Sequence, residues 1–314
     1  MMKKTALLLA LISCNIFAQP TPESIALAKT IPIADAHMHT FRQNPRSATW
    51  WKEQMDANGV KWGGAVGDYR EDVQAELGER YIPALGQTAF FKVFFRGVDG
   101  LVDADNPIFK ELYVKADQLF TEGKIKGLGE FHTDNHTSGH PRLRRVIRTD
   151  NPVMRKFYEI ANKHGGFIQI HTEFDSYLEK DILKLSADYP NSTTVLSHCL
   201  STSNADNLAT LFKQRKNIVC ELSSTGTVLN ELLALNKPAK VYDSQGPHRA
   251  WKNLIETYPD QIMLGTDPCC GADGGYSKLV NEYRINLLPH FNKEVMEKVA
   301  YKNAVRVFKL KDEK

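Results

Sequence analysis

Ile33-Ala34-Asp35-Ala36-His37-Met38-His39 is the first run of this chain that reads as a strand. Successive side chains of a strand point to opposite faces. This spacing therefore puts Asp35, His37 and His39 on one face and Ala34, Ala36 and Met38 on the other. Two imidazoles so placed can grip one metal ion, with Asp35 expected to support a ring from behind. The apolar positions are expected to pack outward against helices. With its flank the run spans Ile31 to His39, and seven more of the same β-branched or apolar character follow. They are Gly59–Val66, Tyr81–Gln87, Ile125–Glu130, Phe167–His171, Thr193–His198, Ile218–Ser223 and Ile262–Asp267. Helical patterns lie between them, as in Asn151–His164, where Val153, Phe157, Ile160 and Ala161 share a face. Tyr177–Asp188 and Asn204–Lys216 show the same spacing.

Strand and helix alternating eight times over about 280 residues predict an α/β protein, a (β/α)8 TIM barrel, which needs about 250. The competing doubly wound sheet lacks its mark, because no GxGxxG follows the first strand. No domain boundary falls inside 25–312.

Composition narrows the class. The 314 residues are 42% hydrophobic, enough for a sizeable core. The 40 basic and 37 acidic side chains leave a net charge of +3, which argues against a nucleic-acid partner recruited by bulk charge. Beyond the N-terminus no apolar stretch is long enough to span a bilayer, so an integral membrane protein is excluded. Residues 1–18 read as a signal peptide, with Lys3 and Lys4 before an apolar Ala6–Ile12 and a cleavage site at Ile16-Phe17-Ala18. The expectation is a periplasmic or secreted protein. Leu11-Ile12-Ser13-Cys14 also fits a lipoprotein box, which would anchor the chain through a lipid on Cys14. The remaining cysteines, Cys199, Cys220, Cys269 and Cys270, are too few and irregular for a stapling framework; a bond between adjacent Cys269 and Cys270 would be a strained ring, and free thiols are expected there.

Four further runs end in metal-binding side chains: Glu130, His171, His198 and Asp267. Nitrogen and carboxylate donors suit zinc, manganese, iron or nickel. Any one of these residues alone reads as structural, but six at the ends of five strands read as a site. The same positions carry a resemblance. His37-Met38-His39, Glu130, Ile170-His171-Thr172, Leu196-Ser197-His198 and Gly265-Thr266-Asp267-Pro268 resemble the amidohydrolase superfamily of metal-dependent hydrolases. Thr149-Asp150-Asn151-Pro152 and the tail Val299–Phe308 are similar to that family's segments as well. The resemblance implies that His37, His39 and Asp267 bind a more buried ion and that His171 and His198 bind a second. Glu130 would bridge the two, Lys126 lying too early in its strand. In mononuclear members the sixth-strand histidine and the fourth-strand acid need not bind metal, so one ion and two both stay open.

The chemistry expected is a metal-activated hydroxide attacking a lactone, ester, amide or phosphoester of a small molecule, with Asp267 as the catalytic proton carrier. A mononuclear decarboxylase or lyase of the same superfamily is the alternative, and a non-catalytic small-molecule-binding barrel is the alternative of another class. Two connections, Thr40–Asn58 and His132–Asp150, are longer than structure needs and follow strand C-terminal ends. From the second, His132 and Arg142 are the candidate substrate-binding residues, arginine offering a bidentate fork to a carboxylate or phosphate. A homo-oligomer is compatible with the sequence.

Overall fold

β1 (Ile33–His39) is buried along its whole length, which requires neighbours on both faces and both edges. The computed structural model describes residues 19–39, 46–137, 141–269 and 271–312. The predicted signal peptide, Cys14, His140 and Cys270 lie outside the described residues. β1 pairs in parallel with β2 (Val60–Val66), and β2 with β3, which runs as Tyr81–Ile82 and Ala84–Gly86 on either side of Pro83. The parallel order continues through β4 (Gly127–His132), β5 (Phe167–His171), β6 (Thr193–Leu196), β7 (Ile218–Glu221) and β8 (Ile262–Met263). Two backbone bonds close the ring. Ala36 N–H donates to the Leu264 carbonyl at 3.0 Å, and Asp267 N–H to the His37 carbonyl at 2.8 Å. All eight strands coincide with the runs read from sequence, and the chain is a TIM barrel.

The barrel interior is layered. Ala34, Trp62, Ile82, Phe167, Val195, Val219 and Met263, from seven different strands, form one apolar layer, closed from below by Val307, Phe308 and Leu310. β4 contributes Gly127 to this level. A Cβ there would stand 2.3 Å from the Phe167 ring, which fills the space instead.

The strand faces depart from the expected alternation at one point. Of the three apolar positions expected to pack outward, only Met38 joins the outer core against the helices, while Ala34 and Ala36 belong to the inner layer. The register with β2 shifts between Asp35 and Met38, a bulge that turns His37 and His39 to the same rim while sending Asp35 elsewhere. Asp35 accepts from Thr266 N–H at 2.9 Å, Thr266 Oγ1 at 2.6 Å and Tyr276 Oη at 3.0 Å. It ties β1 to the segment after β8 and touches neither imidazole ring of β1.

The helices follow their end signals. Pro152–His164 begins at Asn151, whose side chain accepts from Met154 N–H, and ends at Gly165 in the left-handed region. It buries Val153, Phe157 and Ala161 as predicted, with Ile160 half-buried. His164 stacks on Phe120 and bonds Asp117 at the helix end, a structural role. The first long connection is largely a helix, Ala48–Asn58, capped by the Ser47 side chain, which accepts from Trp50 N–H. Trp51 is fully buried there against Tyr276.

Candidate metal centre

At the C-terminal rim the upper side chains of β1, β4 and β5 meet residues just beyond β6, β7 and β8. His37 Nδ1–H donates to Glu221 Oε1 at 2.9 Å, and His39 Nδ1–H to Gln87 Oε1 at 3.2 Å. The Gln87 amide nitrogen lies 3.4 Å from Glu130 Oε2, which fixes the amide's orientation. Each Nδ1 thus faces an oxygen acceptor, which leaves Nε2 as the atom where a proton or a metal ion can sit. These two nitrogens lie 3.2 Å apart, with Asp267 Oδ1 at 3.0 Å from His39 Nε2 and 3.6 Å from His37 Nε2. Three electron-rich atoms converging in a buried place repel one another unless a cation sits among them. The donor set fits a divalent metal ion.

A second convergence adjoins the first. Glu130 Oε1 lies 3.1 Å from His171 Nδ1 and 3.6 Å from His198 Nε2, and those two nitrogens are 3.1 Å apart. His198 Nδ1 faces the Ser223 carbonyl at 3.2 Å and the Ser223 hydroxyl at 2.8 Å, which turns its Nε2 toward His171 and Glu130. Glu130 stands between the groups, its other oxygen 3.6 Å from His37 Nε2. His132 Nε2 touches that same oxygen at 3.2 Å, and its ring stacks on His171 at 4.4 Å and meets the Phe91 ring at a tilt, 4.8 Å between centroids.

The electrostatics select positive charge. Burial alone would lower the proton affinity of His37, but the carboxylates of Glu130, Glu221 and Asp267 outweigh it and hold the ring well above the ordinary imidazole range. Burial likewise works to raise Glu130 and Asp267. The surrounding imidazoles overcome it and keep both carboxyls well below the carboxylate range. Burial pushes His171 down and takes His132 to about 3, so His132 is a neutral ring at ordinary pH.

All six predicted ligands, His37, His39, Glu130, His171, His198 and Asp267, are thus brought together, with His132 beside them. Arg142 is exposed on its loop. The buried arginine of that loop is Arg145, whose Nε donates to the His132 carbonyl at 2.9 Å and whose guanidinium lies 5.1 Å from the Phe94 ring centroid. Lys126 reaches the Lys309 carbonyl, away from the rim. One cysteine pairing that the irregular spacing did not predict is present. Cys199 and Cys220 form a disulfide, their Cα atoms 4.8 Å apart, because the turn after β6 folds back over the end of β7.

Sequence reasoning missed the residues that aim the ligands: Glu221, Gln87, Ser223 and Ser224. Glu221 is fully buried and also accepts from His198 N–H at 2.8 Å and Ser223 N–H at 2.7 Å. Ser224 Oγ donates to Asp267 Oδ2 at 2.9 Å. Glu221 sits two positions after inward-facing Val219, so strand alternation alone pointed it into the barrel. Gly265 makes room for it, since a Cβ there would stand 2.3 Å from Glu221 Oε2.

Comparison with known proteins agrees with this architecture. No curated protein matches the sequence. Among solved structures, a candidate 2-pyrone-4,6-dicarboxylic acid hydrolase from Pseudomonas putida aligns over 91% of this chain and 99% of its own, at 12% identity and TM-score 0.55. A candidate amidohydrolase from Staphylococcus aureus covers 90% of this chain and 100% of its own, at 10% identity and TM-score 0.50. Identities this low speak to the fold alone. The amidohydrolase family profile matches residues 34–310, nearly the whole described chain, and the protein belongs to the amidohydrolase family.

Proposed function

We propose that the rim holds two divalent cations and that the protein is a metal-dependent hydrolase of a small molecule with a lactone, ester, amide or phosphoester bond. His37, His39 and Asp267 would hold one ion, and His171 and His198 the other, with Glu130 shared. The observation that carries this reading is the 3.2 Å approach of the His37 and His39 Nε2 atoms beside Asp267 Oδ1. Zinc suits the nitrogen and oxygen donors best, and manganese, iron and nickel fit the same set. A bound divalent cation lowers the pKa of the water it holds and polarises an electrophilic oxygen.

The chain's own residues do the rest. Asp267, kept ionised by its imidazole neighbours and steadied by Ser224, accepts the proton of the attacking water and returns it to the leaving group. Glu221 and Gln87 hold the rings of His37 and His39 in one tautomer. Neutral His132 and the Phe91 ring wall the adjacent space, and buried Arg145 places a cation behind that wall. A buried cystine supports an oxidising compartment, and with the N-terminal reading it supports export to the periplasm or beyond.

The test is metal analysis of the purified protein beside a screen of lactones, esters, amides and phosphoesters. Two ions with turnover of one class is expected, and Asp267→Asn should lower kcat by at least 10²-fold while the protein stays folded. Near-normal turnover in that variant contradicts the role of Asp267. One ion with release of carbon dioxide would make the protein a mononuclear decarboxylase instead.

A further inference from the structure

Five of the six ligands are fixed by strand pairing or by backbone bonds into the barrel. His37, His39, Glu130 and His171 lie within strands, and Asp267 N–H is tied to the His37 carbonyl. His198 differs. The β6–β7 ladder ends at the pair Leu196 and Cys220, so His198 sits on a turn beyond the last rung. His198, Cys199 and Leu200 have φ of 57°, 44° and 63°, three successive non-glycine residues in the left-handed region. Such a run persists only where its surroundings over-determine it.

Two braces do so. Lys240 Nζ donates to the His198 and Cys199 carbonyls at 3.0 Å each and to the Leu200 carbonyl. The other brace is covalent. Cys199 immediately follows His198, Cys220 immediately precedes Glu221, and the two cysteines are bonded. Their neighbours are joined in turn, His198 N–H donating to Glu221 Oε1 at 2.8 Å. Glu221 also bonds the His37 ring, so one small loop of contacts spans the ligands of both convergences.

We propose that the Cys199–Cys220 disulfide is a positioning element of the metal centre, holding the His198 turn so that its Nε2 faces His171 and Glu130. This rests on the two-ion reading above. Removing the bridge leaves His37 and His39 in β1 and Asp267 tied to the His37 carbonyl, and frees the turn that carries His198. The second ion should weaken selectively.

The experiment is zinc titration of metal-free full-length protein against a chromophoric chelator. Three forms are compared: the oxidised wild type, the Cys199→Ala/Cys220→Ala variant, and wild type produced in a reducing cytoplasm with its thiols counted. Circular dichroism and thermal melting monitor folding. The expected result is two ions in the oxidised protein. Both disulfide-free forms should bind one ion within threefold of that affinity and the other at least tenfold more weakly. Equal affinities with and without the bridge overturn the inference and leave the two-ion reading standing, as does equal weakening of both ions. Failure of both disulfide-free forms to fold also overturns it, because the bridge is then a staple of the whole barrel. One ion or none in the oxidised protein removes the two-ion reading and this inference together.

Discussion

Glu221 carries more of the centre than its position suggests. Its one carboxylate, fully closed to solvent, orients the His37 ring and receives the backbone N–H groups of His198 and Ser223. Partners of this kind typically contribute 10–100-fold to metal affinity. Glu221→Gln keeps the volume and removes the charge. We expect zinc affinity to fall by about 10–100-fold with a melting profile that still shows one cooperative transition, read by chelator competition and calorimetry. Wild-type affinity in that variant contradicts the role. The six ligands were legible because each ends an apolar run with a residue type that apolar strands exclude. Glu221 was not, since one buried acid in a run has an equally good structural explanation until its partner is seen. The failure at Asp35 has a different cause: a bulge between Asp35 and Met38 reverses the alternation, and nothing in Asp35-Ala36-His37 signals a bulge.

At the scale of elements, β-runs were easier to read than connections. Each strand is pinned by burial on both faces, so its hydrophobic pattern is dense. The loop after β4 has no such constraint, and its several arginines look alike in sequence. The structure separates them. Arg142 is exposed, Arg148 pairs with Asp181 on the helix Ser176–Asp188, and Arg145 is buried behind His132. Because the Arg145 Nε is committed to the His132 carbonyl, losing this side chain disturbs the wall beside the centre. We expect Arg145→Met to raise KM at least tenfold and Arg142→Ala to leave KM within about twofold, measured on the first substrate found. The reverse order would return the substrate-binding role to Arg142. The disulfide was illegible for a related reason. Cys199 and Cys220 are separated by 21 positions and by a whole helix, Ala205–Gln214, and only the parallel pairing of β6 with β7 brings them together.

The whole molecule is organised as a stack inside one ring of strands: an apolar floor, a tightly packed middle with Gln169, Glu221 and Gly265, and a polar rim. Gln169 donates toward the Ala36 carbonyl and Ser197 Oγ at 3.3 Å each, linking strands across the axis. The floor supplies stability and the rim supplies chemistry, so damage to one should leave the other readable. Trp62, 1% exposed in the floor, tests this. Trp62→Ala should cost about 3–5 kcal/mol in chemical denaturation while the folded fraction keeps its bound metal. Loss of metal at full stability would mean that floor and rim are not separable.

The rim itself turns on Glu130, among the described residues the carboxylate with an oxygen toward each cluster of nitrogens. The most direct measurement is elemental analysis of the wild type and of Glu130→Gln, purified in parallel and both shown to be folded. Two metal ions per chain falling to one in the variant is the predicted result. A wild type that takes up no divalent ion, or a variant that holds as many ions as the wild type, would contradict the shared-carboxylate centre.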